Sequence, residues 1–314
     1  MSFLVRPLFS GPIDIIGDVH GGLKHLHSLV EKLGYDESGC HPNRRLVFLG
    51  DIVDRGEDSP GVLALVQRLV LEKRAQCVLG NHELNILLQK EKPGSEWFYR
   101  RSQYLENPSH LLPQKQLSPS QRTEALRFFS SLPLVLERKD LRVVHACWNT
   151  KSVHELRTQQ NAVQFLRNCN KQNKAEILAT EDRVRRALID QNENPVKVVT
   201  SGLEQRRDGP SFIAGGSPRR TERVPWWNTY TDRQSVVFGH YWHSQAPLER
   251  FSGIPSPFRH QDHPLAPLGP RRNAWCVDFS NGHRSEEAIR RPWRPQPVAC
   301  LAALRWPEQE IVLA

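Results

Sequence analysis

Three short apolar runs, each closed by a glycine and followed at once by an acid or an amide, punctuate the first 85 residues: IDIIGDVHG at 13–21, RLVFLGDIVDRG at 45–56 and QCVLGNHE at 76–83. Ile13–Gly17, Arg45–Gly50 and Gln76–Gly80 read as strands. Leu23–Leu33, Gly61–Lys73 and Glu83–Lys90 read as helices, with Val62, Leu65, Val66 and Leu69 on one face of the second. This β-α-β-α-β order predicts parallel strands joined by right-handed crossovers. It brings three clusters distant in sequence to the carboxyl edge of one sheet, where open α/β proteins bind ligands.

The remainder of the chain is less regular. Lys92–Gln116, rich in Pro, Ser and Arg, reads as a surface loop; Ser118-Pro119 marks a helix start, with the helix ending near Leu132–Pro133. Leu141–His145 is a further buried strand, and 152–190 a polar, helical insertion. The runs Val196–Thr200, Ser235–Phe238, Ala274–Phe279 and Val298–Leu304 predict a second sheet, and 251–272 an irregular segment. We read 1–314 as a single domain with insertions near 92–117 and 150–230. With 38% hydrophobic and 25% charged residues the chain can build a core, which excludes an intrinsically disordered protein. Six scattered cysteines without a CxxC pair exclude a zinc ribbon and a disulfide framework. No run of 18 apolar residues and no secretory leader pattern are present, so a cytoplasmic protein without a membrane partner is expected. The net charge of +9 favours anionic partners such as phosphates or nucleotides.

Glycine and aspartate are ordinary turn residues, and any one cluster alone reads as turn chemistry. All three in order, after strands and at crossover spacing, point to a site. Asp18, His20, Asp51 and Asn81 supply oxygen and nitrogen donors without a thiolate, a set suited to Mn²⁺, Fe or Zn²⁺. Asp51, in the middle, is placed to bridge two ions. Two divalent metals a few ångströms apart clamp a phosphoryl oxygen and activate a water for in-line attack. His145 after LRVV and His240 after VVFG are candidates to complete the second ion's ligands. His82 is the candidate acid for the leaving oxygen, Asp54 the residue that fixes its tautomer, and Arg55 a fork for phosphate oxygens.

GDVHG, GDIVDRG, GNHE, VVHA and FGH together resemble the calcineurin-like metallophosphoesterase superfamily, in its phosphoprotein-phosphatase branch, closely over 13–148 and loosely over 235–282. The resemblance implies an α/β fold, a four-layer double β-sandwich flanked by helices, and a hydrolase with two divalent metals, manganese first among them. It implies Asp18, His20 and Asp51 on one metal, and Asp51, Asn81, His145 and His240 on the other. His82 with Asp54 is then the acid pair and Arg55 the phosphate ligand.

Departures within the motifs bear on the substrate. Leu79 before GNHE and His145-Ala146 resemble the symmetrical diadenosine polyphosphate hydrolases and their bacterial relatives, as does LPLVLERKDLRVVHA. Glu83 sits closer to the serine/threonine protein phosphatases. GHYWH places His243 three residues past His240, where many relatives have GHxH, so His240 is the expected ligand and His243 the outsider. Arg219, Arg220 and Arg223 precede Trp226-Trp227; they read either as a nucleotide-binding cluster, with Arg223 on the scissile phosphate, or as core tryptophans beside solvated arginines. Arg185-Arg186, Arg271-Arg272 and Arg290-Arg291 read as surface charge. A dinucleoside polyphosphate or related nucleotide is the expected substrate, a phosphoprotein the rival. A non-catalytic nucleic-acid binder would need long basic runs, and the arginines come only in dispersed pairs.

Overall fold

The computed structural model describes residues 3–100, 113–214, 217–244, 256–258, 261, 263–284, 287 and 298–314. Its strands are β1 (Val5–Pro7), β2 (Ile13–Ile16), β3 (Arg45–Phe48), β4 (Ala75–Cys77), β5 (Val135–Glu137), β6 (Leu141–Val144), β7 (Glu204–Arg206), β8 (Phe212–Ala214), β9 (Ser217–Arg219), β10 (Thr221–Arg223), β11 (Ser235–Phe238), β12 (Ala274–Cys276), β13 (Ala302–Trp306) and β14 (Glu310–Leu313). Its helices are α1 (Leu23–Lys32), α2 (Ser59–Leu71), α3 (Asn81–Leu87), α4 (Glu96–Tyr99), α5 (Pro119–Ser131), α6 (Thr150–Leu156), α7 (Ala162–Ala179), α8 (Arg183–Asn192) and α9 (Pro195–Ser201).

Two five-stranded sheets carry the core. One runs β14-β13-β2-β3-β4 and the other β1-β5-β6-β11-β12. As the motif spacing predicts, β2, β3 and β4 are parallel, with Ile16 beside Phe48 and Phe48 beside Cys77. β13 lies antiparallel on the other side of β2. Alternation along each strand serves two layers. Ile13, Ile15, Val47, Leu49 and Val78 meet Leu136, Leu141, Val143, Val237 and Val277 of the second sheet. Ile16, Leu46 and Phe48 face the other way and join Leu26 and Leu29 of α1 and Val62 and Val66 of α2. A strand covered on both faces must be apolar throughout, which is why IDII is buried at all four positions. The exception, Asp14, is neutralised by Arg44 Nε (2.8 Å) and Arg305 Nε (3.0 Å) and takes the Tyr35 hydroxyl (2.8 Å).

Three expectations are corrected. The run 298–304 does not join the second sheet, because its strand, β13, pairs with β2 in the first. Residues 196–200 are not a strand but lie in α9, whose Pro195 stands at the first helical turn and whose Val196, Val198 and Val199 are all buried. The packing of α9 on the neighbouring helices overrides the β-propensity of a valine-rich run. The segment 92–116 is not merely surface loop, because α4 lies within it and buries Trp97 completely. α5 starts as predicted, with Ser118 and Gln121 capping one another. Helices α6 to α8 fill the insertion read at 152–190. Arg290 and Arg291 lie outside the described residues, as do 101–112 of the segment read as a surface loop and 251–255, 259, 260 and 262 of the segment read as irregular.

Candidate metal centre

The five motif segments converge at the carboxyl ends of β2, β3, β6 and β11 and the start of α3. Asp51 is their hub. Its Oδ2 lies 3.4 Å from His145 Nε2, 3.9 Å from His20 Nε2 and 3.9 Å from His82 Nε2. Ligand atoms of His20, Asp51 and His82 lie within 4.8 Å of one another, and so do those of Asp51, His145 and His240. One carboxylate is therefore common to both groups. Asn81 joins the second through its Oδ1, 3.2 Å from His145 Nε2. Asp18 joins through the backbone of His240, whose N–H its Oδ2 accepts at 3.1 Å.

Second contacts fix which ring atom faces the centre. His20 Nδ1 lies 3.1 Å from the Val53 carbonyl and His145 Nδ1 2.6 Å from that of Leu49, which leaves each Nε2 toward Asp51. The backbone is bent to achieve this. His20, Asp51, Asp54, Arg55 and His240 all have positive φ, between 46° and 72°. For residues other than glycine such conformations cost of order 1–3 kcal/mol each, and they persist only where the surroundings over-determine them. Two glycines make room. A Cβ on Gly80 would stand 2.3 Å from Asp51 Oδ1, and one on Gly239 would stand 2.2 Å from Asp18 Oδ1.

The electrostatics suit cations. Asp18 and Asp51 are buried together, and Asp18 Oδ1 has no hydrogen-bond partner among the described residues. Burial, with Asp278 adding to it, pushes the Asp18 carboxyl well up. Burial lowers His20, helped by Arg55, and lowers His240, helped by Arg223, so both rings are neutral donors. Burial also works against a charged His145, but Asp51 and Asp18 outweigh it and raise the ring to about 10. A pocket that draws a proton onto imidazole this strongly is short of positive charge. Bridging carboxylate, neutral histidines, amide oxygen and an unpartnered carboxylate oxygen together fit a pair of divalent ions.

Beside this cluster, His82 Nδ1 lies 2.6 Å from Asp54 Oδ2, and Arg55 reaches His20 Nε2 and His82 Nε2 at 3.3 Å each. Arg223 donates to the His240 carbonyl at 2.6 Å and faces the ring of Trp242, 5.0 Å from its centroid. Trp226 and Trp227 are core, packed on Phe238, so the reading in which they stack on a nucleotide is overturned. Arg219 is held by Glu204, and Arg220 is exposed. His243 stays outside the cluster, against Phe258 and Phe279 and paired with Gln261.

Four residues escaped the sequence reading as parts of this site. Buried Glu83 accepts the N–H groups of Gly80 (3.0 Å), Asp51 (2.9 Å) and Ile52 (2.9 Å), which ties the start of α3 to the Asp51 loop. Its place at the third position of α3, facing back to the cap, is a readable signal. Trp97 donates its indole N–H to Asp54 Oδ1 at 2.5 Å. Asp278 accepts the backbone N–H of Trp242. Trp242 itself was hidden in GHYWH.

Residues 11–241 match the sequence model described as calcineurin-like phosphoesterase. Over 74 residues the chain is 54% identical to bis(5'-nucleosyl)-tetraphosphatase PrpE, of the asymmetrical type, from Oceanobacillus iheyensis, covering 22% of this chain and 30% of that protein. Over 73 residues it is 49% identical to the same-named protein of Halalkalibacterium halodurans, with the same 22% and 30% coverage. The match thus spans less than a third of these relatives, and they are named asymmetrical where Leu79 and His145-Ala146 pointed to symmetrical enzymes. Two solved structures are alike over nearly the whole chain and speak for the fold alone. A candidate diadenosine tetraphosphatase has TM-score 0.50 and 18% identity, covering 100% of this chain and 98% of that one. A cold-active protein tyrosine phosphatase has TM-score 0.51 and 15% identity, covering 98% and 80%. With two facing sheets, both histidine groups on Asp51 and a family match from 11 to 241, the chain belongs to the calcineurin-like phosphoesterases.

Proposed function

We propose that this protein is a metal-dependent phosphohydrolase acting on dinucleoside polyphosphates or related nucleotides. The observation that carries the reading is the sharing of Asp51 between two groups of histidines. Asp18, His20 and Asp51 would hold one divalent ion, and Asp51, Asn81, His145 and His240 the other, with manganese the first choice and iron or zinc the alternatives. When bound, such a pair acidifies a water and offsets charge on phosphoryl oxygens.

The protein's own groups do the rest. Arg55 binds the phosphoryl oxygens, since its two Nη atoms already span the His20 and His82 sides of the centre. Asp54 holds His82 by Nδ1 and leaves Nε2 toward the centre, where it gives its proton to the leaving oxygen. Arg223 contacts the phosphate from the His240 side. Similarity to proteins named tetraphosphatases supports the nucleotide substrate. Glu83, the feature shared with serine/threonine phosphatases, supports a phosphoprotein as the second reading. We place the protein in the cytoplasm; among the described residues no helix is long and apolar enough to cross a membrane.

Incubating the protein with diadenosine tetraphosphate or a phosphoserine peptide, with and without Mn²⁺, tests the proposal. Metal-dependent release of ATP and AMP supports asymmetrical cleavage, and two ADP supports symmetrical cleavage. Phosphate from the peptide alone favours the second reading. No metal-dependent turnover of either refutes both.

A further inference from the structure

We propose that Trp97 is a positioning residue for the acid His82, acting through Asp54. The proposal rests on the hydrolase reading above. The contact chain is continuous: indole Nε1 to Asp54 Oδ1 at 2.5 Å, then Asp54 Oδ2 to His82 Nδ1 at 2.6 Å. Each carboxylate oxygen thus has one dedicated donor, and the plane of the carboxylate is fixed by both. The Asp54 backbone N–H is taken by Ser59 Oγ at 2.9 Å, so the residue is held at three points in a left-handed conformation, φ 72°.

Trp97 is itself immobilised. It is fully buried; its backbone N–H goes to Gln114 Oε1 (2.9 Å) and its carbonyl accepts from Leu117 N (3.1 Å). The same segment grips the neighbouring phosphate ligand, because Gly94 O accepts the Arg55 N–H at 2.9 Å, and Gln114 Nε2 braces that carbonyl at 3.1 Å. An indole offers one donor and no acceptor, so it can only orient Asp54 as an acceptor and leaves the proton on the His82 side. A buried carboxylate oxygen without this donor would be free to rotate off the imidazole.

The test is Trp97→Phe, which keeps most of the apolar volume and removes the N–H. Outer partners of this kind cost about 10- to 100-fold when removed. kcat on an alkyl phosphate, whose leaving oxygen needs a proton, should fall about tenfold with KM little changed. kcat on a dinitrophenyl phosphate, whose leaving group needs none, should stay within about twofold. In Asp54→Asn the same Trp97→Phe change should cost nothing further. Equal losses on both esters, or additive losses in the double variant, overturn the proposal. His82→Asn serves as the reference: without leaving-group dependence there, the acid assignment itself fails. If His82→Asn shows the dependence and Trp97→Phe does not, only the role of Trp97 fails. Should Trp97→Phe not fold, proton NMR of the wild type decides. An indole signal shifted downfield by the carboxylate should move upfield in Asp54→Ala, and an unmoved set of indole signals refutes the contact.

Discussion

Replacing Glu83 by glutamine changes one group and keeps the shape, which makes it a sharp probe of how the Asp51 loop is held. The carboxylate accepts four buried backbone N–H groups, those of Asp51 and Gly80 on Oε2 and those of Ile52 and, more distantly at 3.4 Å, Val53 on Oε1. The amide cannot accept on its nitrogen. In its better orientation it leaves the Ile52 and Val53 N–H groups facing an NH₂ and weakens the two remaining bonds by removing the charge. Bonds to charged acceptors are worth about 1.5–3 kcal/mol, so a loss of roughly 3 kcal/mol is expected. At about 2.1 cal/mol/K per residue over 314 residues, that corresponds to a fall in Tm of about 4.5 °C. The functional effect should be larger than the stability effect, because Asp51 sits at φ 46° and stays there only while its neighbours insist. Circular dichroism melting and Mn²⁺ titration calorimetry read the two effects. A Tm within 1 °C of wild type together with unchanged metal affinity would refute the claim that Glu83 holds the hub.

His82→Asn should abolish turnover, by about 10²–10⁴-fold, while Mn²⁺ still binds; wild-type rates in that variant remove its acid role. Arg55→Ala should lower kcat/KM by roughly a hundredfold, and Arg55→Lys should recover little, because a single ammonium cannot span the His20 and His82 sides; steady-state kinetics on the nucleotide substrate decides. Asp14→Ala takes the buried carboxylate from Arg44 and Arg305, leaving Arg44 with Glu308 and Arg305 with the Leu33 carbonyl, and should cost about 3 kcal/mol in urea unfolding. Burial, aided by Arg284, holds His25 down to about 4, so between pH 6.5 and 4 the unfolded chain binds a proton that the folded chain does not. Stability should therefore fall as pH drops through that window, and fall less in His25→Gln, as denaturation midpoints at pH 7 and 4.5 would report.

The candidate metal cluster was legible because each proposed donor directly follows an apolar run, and parallel strands leave only one edge at which such loops can meet. Arg55 and the Asp54–His82 pair followed from residue type and spacing. Trp97 gave no signal, since three adjacent aromatics, Trp97-Phe98-Tyr99, in a Pro- and Ser-rich stretch carry no period that singles one out, and its partner lies 43 residues away in sequence. The helix Pro195–Ser201 was misread for a related reason: Val196, Val198 and Val199 match a strand locally, and only burial on every side shows the opposite. The two tryptophans at 226 and 227 were ambiguous because the same side chain serves a core or a stacking platform, and position in the fold alone decides between them.

β13 is paired with β2, so Ala303 lies beside Ile16, two residues from Asp18. During synthesis the strand that presents the first of the candidate metal-binding motifs therefore emerges nearly 290 residues before its neighbour on this side. Until then one flank of β2 carries unpaired backbone groups, and the earliest part of the centre to be made is among the last to be secured. A ribosome-bound chain stopped short of residue 302 would carry every candidate metal donor and yet lack the two strands, β13 and β14, that close this flank of the sheet.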